Sequence, residues 1–187
     1  MHRFLLVPAV ASAAFATPCA AQDVDTAFSG FRLEALGGYD HVSGNGEGQD
    51  GFVYGGAVGY DAPLGRARLG AEAEITGSTL GDDDLIKVGR DLYLGVRAGY
   101  VLSPAAMLYL KAGYTNARVT GSYTAGETTV RESVNLDGFR LGAGMEVALS
   151  PRFYVKGEYR YSHYAVQDDL SIDADRHQLL AGIGARV

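Results

Sequence analysis

From about residue 31 onward, hydrophobic and polar positions alternate along this chain with a period of two. That period sends successive side chains to opposite faces of an extended strand. In the first instance Phe31, Leu33, Ala35, Gly37 and Tyr39 interleave with Arg32, Glu34, Leu36 and Gly38. The pattern returns seven more times, in sets that begin at Phe52, Ala67, Leu92, Leu108, Phe139, Phe153 and Leu179. Each stretch predicts a strand of about nine to eleven residues, the length that crosses hydrocarbon when tilted. Eight is an even number and the smallest usual count for a closed membrane barrel. The expected fold is all-β, an eight-stranded antiparallel up-and-down transmembrane β-barrel.

The connections carry a second pattern. Those at Asp61 to Gly65, Leu102 to Ala106 and Leu149 to Arg152 are short and hold Pro63, Pro104 and Pro151. Between them fall longer, polar connections near residues 40–51, 77–90, 115–135 and 165–176. Strict alternation of short and long puts all the short ones at one end of the barrel. Outer-membrane barrels sort their connections this way, with short periplasmic turns and longer external loops.

Alternation alone does not say which set faces outward, because a soluble eight-stranded barrel would turn the apolar set inward. Three features favour lipid outside. Tyr39, Tyr60, Tyr100, Tyr114, Tyr159 and Tyr161 fall near strand ends, where the two interfacial aromatic girdles are expected. The polar set mixes charge with many glycines, as a crowded interior requires. Its charges are also nearly balanced. Arg32, Arg68, Arg97, Lys111, Arg140, Lys156, Arg160 and Arg186 stand against Glu34, Glu72, Glu74, Glu146 and Glu158. Buried charges must be paired, so these residues are expected to form an ion-pair network in the lumen. The outward set is free of charge apart from His177 near one end.

Composition narrows the function classes. With 26 glycines, five prolines and no tryptophan, the chain suits closely approaching strands better than a collagen-like or disordered chain. A net charge of −6 lacks the basic surface that nucleic-acid binding needs. The first residues form a separate element: Arg3 precedes an apolar run from Phe4 to Phe15, then small residues around Ala20 and Ala21. That is a signal-peptide pattern, shorter than the roughly 20 residues of a spanning helix. Residues 1–21 are therefore expected as a signal peptide and 22–187 as the barrel domain. Cleavage after Ala21 removes Cys19, and with it disulfides and thiol chemistry.

Candidate chemistry is sparse. Ser162 and His163, with Asp168 and Asp169 nearby, invite a hydrolase reading. Adjacent strand residues point to opposite faces, however, and a nucleophile must lie within reach of its base. Asp82 to Asp84 lack the spacing of a calcium loop, and the glycines at 46, 48 and 51 do not open a helix, as a phosphate-binding motif would. No catalytic residue, metal or cofactor is expected.

The phrases Tyr60 to Gly65, Lys111 to Tyr114, Glu158 to Tyr161 and Leu180 to Gly184 resemble the outer-membrane β-barrel family of opacity-type porins, akin to the membrane domain of OmpA. The resemblance covers the whole chain after the leader. It implies residence in the bacterial outer membrane as a multi-pass barrel, insertion by the barrel-assembly machinery, and contact with outer-membrane lipids and lipopolysaccharide. Such proteins usually end in phenylalanine, whereas Val187 and Ala185 stand here. The expected function is non-enzymatic: a monomeric barrel with structural and surface-display roles and a lumen filled by ion pairs. The alternatives are a narrow porin-like channel for small solutes and a lipid A-modifying enzyme.

Overall fold

A computed structural model describes residues 28–44, 47–79, 86–125, 128–165 and 173–187. The leader therefore lies outside the described residues, as do Asp82 to Asp84, Asp168 and Asp169. Eight strands follow in order: β1 (Gly30–Gly44), β2 (Glu47–Leu64), β3 (Ala67–Ser78), β4 (Ile86–Ser103), β5 (Ala106–Ala125), β6 (Thr128–Ala148), β7 (Phe153–Ala165) and β8 (Asp173–Arg186). Each pairs antiparallel with its neighbours, and β8 returns to β1 to close the barrel.

The register fixes how far the strands tilt. Starting at Asp40, the row of direct partners runs through Gln178, Arg160, Gly142, Lys111, Arg97, Gly70 and Asp61. It arrives back on β1 at Gly30, ten residues from where it began. This stagger is the shear that a tilted, closed eight-stranded sheet requires.

The alternation sorts as expected for a membrane barrel. Leu94 is 64% exposed on the outer surface while Arg97, three positions on, is 1% exposed in the lumen. The same split holds around the cylinder, with Leu33, Val58, Ile75, Leu110, Leu141 and Ile183 outside. The short connections also gather at one end, at Gly65-Arg66, Pro104-Ala105 and Leu149 to Arg152. Gly65 has φ +61°, which a tight turn of this kind demands and glycine adopts freely.

Strand length departs from the sequence reading. The strands run to 12–21 residues, not nine to eleven, and at the end opposite the short turns they continue well into the polar stretches assigned to loops. The β5–β6 ladder persists to Ala125 and Thr128. Backbone pairing needs no apolar face, so a ladder started in the membrane propagates past it wherever both partners stay extended. Gly48 and Gly51 lie on β2 for this reason and are not loop residues.

Candidate functional site

The lumen is a single connected ion-pair network. At the end away from the short turns, Arg176 bonds Asp40 (2.5 and 2.8 Å) and Asp91 (2.8 Å). Arg140 also reaches Asp91 (2.5 Å), as well as Ser162 Oγ (2.8 Å) and Glu74 (3.5 Å). Thr115 and Tyr164 donate to Asp91 as well. In the middle, Lys111 holds Glu72 (2.7 Å), Glu74 and Glu158 (2.8 Å), while Arg160 joins Glu74 (2.9 Å) to Glu158. Lys156 links Glu34 (2.5 Å) with Glu158 (3.2 Å). Toward the short turns, Arg32 meets Glu72, Glu34 and Asp61 at 2.5, 2.7 and 3.2 Å. Arg97 and Arg186 both reach Glu146, at 2.6 and 2.5 Å, and both face Asp61.

The structure thus places all thirteen charged residues singled out in the sequence inside the barrel, and twelve of them make the contacts just described. Arg68 turns toward the β2–β3 turn, donating to the carbonyls of Gly65 (2.5 Å) and Ala67 (2.7 Å). Four members escaped the sequence reading: Asp40, Asp61, Asp91 and Arg176, all buried. The signal was present, because each continues the two-residue period of its strand's lumen set. Assigning those positions to connections hid it. With them, nine cations face eight carboxylates in the lumen among the described residues, where the sequence reading had eight against five.

Tyrosines divide between the two faces. Tyr93, Tyr109, Tyr154 and Tyr164 lie in the lumen. Tyr109 donates to Glu158 (2.5 Å), and Arg97 stacks over its ring at 4.0 Å. The six predicted interfacial tyrosines all face outward: Tyr60 and Tyr100 toward the short-turn end, Tyr39, Tyr114, Tyr159 and Tyr161 toward the other.

At that other end a three-residue arrangement recurs. Tyr39, Tyr114 and Tyr161 donate to Asp50, Asp137 and Asp175 on the next strand, the last two at 2.5 and 2.7 Å. In all three cases the acid stands two residues from the tyrosine's direct partner and directly opposite the residue two beyond the tyrosine. That residue, His41, Asn116 or His163, also bonds the acid, at 2.6, 2.6 and 2.9 Å. His177, the titratable residue that the sequence placed in the outward set, bonds the Tyr159 hydroxyl at 2.7 Å. An asparagine in one copy shows that the middle position needs a hydrogen-bonding group and not a proton acceptor. These are strand-to-strand clamps on the outer face at the end away from the short turns.

Ser162 and His163 fall on opposite faces. The serine is buried against Arg140, and the histidine faces outward against Asp175. Among the described residues, no group of three or more His, Cys, Asp or Glu side chains could hold a metal ion.

A closed barrel, an apolar outer face and buried charge together define an integral outer-membrane protein. The sequence matches the outer membrane protein beta-barrel domain family over residues 4–186, and the chain belongs to that family. Its fold is similar to that of Neisserial surface protein A (18% identity, TM-score 0.62, 85% of this chain and 98% of that one). It is likewise similar to Ail, the attachment invasion locus protein of Yersinia pestis (17%, 0.54, 83% and 99%). A third likeness is to the N-terminal barrel domain of Pseudomonas aeruginosa OprF (14%, 0.51, 84% and 96%). No curated protein matches the chain in sequence.

Proposed function

We propose that this protein is a non-enzymatic outer-membrane barrel with a lumen closed by its own ion pairs, stiffening the membrane and displaying its long connections at the cell surface. The observation that carries this reading is the set of contacts across the lumen: Arg176 on β8 to Asp91 on β4, Arg160 on β7 to Glu74 on β3, and Lys111 bridging Glu72 on β3 to Glu158 on β7. Opening a path would separate buried charges in a low-dielectric interior, which is strongly unfavourable unless water follows at once. The Ser162–His163 pair does not serve a lipid A-modifying role, since the two side chains are divided by the barrel wall.

The test is swelling of proteoliposomes that hold the refolded barrel in a solution of a small sugar or amino acid. The closed-lumen reading expects the swelling rate of protein-free liposomes. Uptake that falls with increasing solute size would replace it with the channel reading.

A further inference from the structure

The short-turn end holds a small cavity that the ion-pair network leaves unused. Its volume is about 40 Å³, room for a few waters or one small oxyanion. Phe28, Ser150, Arg152, Phe153, Tyr154 and Arg186 are among the residues around it, and among the described residues no carboxylate side chain lines it. Arg186 commits one terminal nitrogen to Asp61 (3.0 Å) and the other to Glu146 (2.5 Å). Its Nε is buried without a hydrogen-bond partner, on a side chain only 9% exposed.

Those two carboxylates are already shared. Asp61 also faces Arg32 at 3.2 Å and Arg97 at 3.5 Å, and Glu146 faces Arg97 at 2.6 Å. Arg152, a second arginine, also lines the cavity, on an exposed turn. The Ser150 hydroxyl oxygen accepts from the backbone N–H groups of Arg152 (3.4 Å) and Phe153 (3.0 Å), which leaves its hydrogen to donate. A buried N–H without an acceptor is costly, and excess buried positive charge calls for a counter-charge. One tetrahedral oxyanion answers both demands, and guanidinium groups suit it because their N–H groups match phosphate oxygens.

We propose that Arg186 and Arg152 bind one phosphate group in this cavity, that of a phospholipid headgroup in the leaflet at the short-turn end. Phe153 decides between a headgroup and a free ion. It lines the cavity, yet its ring is 53% exposed on the lipid-facing surface. The cavity therefore borders the acyl-chain boundary, where headgroup phosphates lie.

The experiment uses the full barrel, refolded in a phosphate-free detergent with nitrogen-15 in its arginines, and follows the Nε–Hε resonances by NMR. It is titrated separately with dihexanoyl phosphatidylglycerol and with inorganic phosphate. The lipid should shift the Arg186 resonance saturably. Arg152→Gln, a change on an exposed turn whose backbone bond to Arg186 is kept, should weaken that binding about tenfold. Saturation by inorganic phosphate with no response to the lipid would overturn the headgroup assignment. No saturable shift with either, or affinity unchanged in Arg152→Gln, would overturn the site.

Discussion

Arg176 on β8 and Asp91 on β4 meet at 2.8 Å although their strands lie on opposite sides of the eight-stranded barrel. The contact spans the lumen, and Asp91 is the hub of its end of the network, since Arg140 bonds it too. Asp91→Ala leaves two buried guanidinium groups sharing fewer acceptors. Truncating one partner of a buried pair costs about 3–5 kcal/mol. The midpoint of urea unfolding, followed by the heat-modifiable shift in gel mobility, should fall accordingly. Ser162→Ala, which removes one bond to Arg140, should cost about 1–3 kcal/mol.

The outward face of the sheet makes a second demand. Leu94→Arg places a charge in acyl chains and should cost about 2–4 kcal/mol near mid-depth. Gly157→Ala should be neutral, because a Cβ there meets nothing within 4 Å. Gly113→Ala should be harmful without any charge, because its Cβ would run into the Leu94 carbonyl and the Gly95 Cα. Folding yields into lipid vesicles rank the three. Equal yields for Leu94→Arg and Gly157→Ala would contradict the facing described here.

How salt affects stability separates the buried network from the exposed rim. Pairs with no solvent exposure are screened little, whereas exposed ones lose most of their attraction. The unfolding midpoint of the barrel should therefore change little between low salt and molar sodium chloride. A steep fall would mean that water and ions reach the lumen pairs.

The rim clamps should be weak individually. Tyr39, Tyr114 and Tyr161 are solvent-accessible, and Tyr→Phe at each should leave the unfolding midpoint almost unchanged. Tyr109→Phe removes a buried bond to Glu158 and should cost about 1–3 kcal/mol. Unfolding midpoints of the four variants give the comparison.

How far the sequence told the fold follows from what sets each feature. Facing was legible because a charge at Arg97 and a leucine at Leu94 cannot both face lipid. Membership of the lumen was legible wherever a strand's apolar set was dense enough to fix its phase. It failed at Asp40, Asp91 and Arg176, where the apolar set gives out before the strand does, and at Asp61, where the nearby Pro63 and Gly65 mark a turn. The partners within the lumen were not legible at all. Arg32 and Arg186 are direct cross-strand partners, as are Arg97 and Lys111, and local pairing rules would make both repulsive. Carboxylates from other strands reconcile them: Asp61 on β2 stands between Arg32 and Arg186. Only the closed barrel brings those strands together. The N-terminal approach was missed as well. Phe28, at φ +59°, packs with Val101 and Met107 to cover the lumen at the short-turn end, and nothing periodic in the sequence marks it.

Single-channel recording of the refolded barrel in a planar bilayer tests the closed lumen most directly. A lumen spanned by Arg176–Asp91, Arg160–Glu74 and the Glu72–Lys111–Glu158 bridge should give a flat baseline broken by rare, small, short-lived steps, and Asp91→Ala should make those steps more frequent. A stable open level in the unmodified protein, present from the moment of insertion, would contradict it.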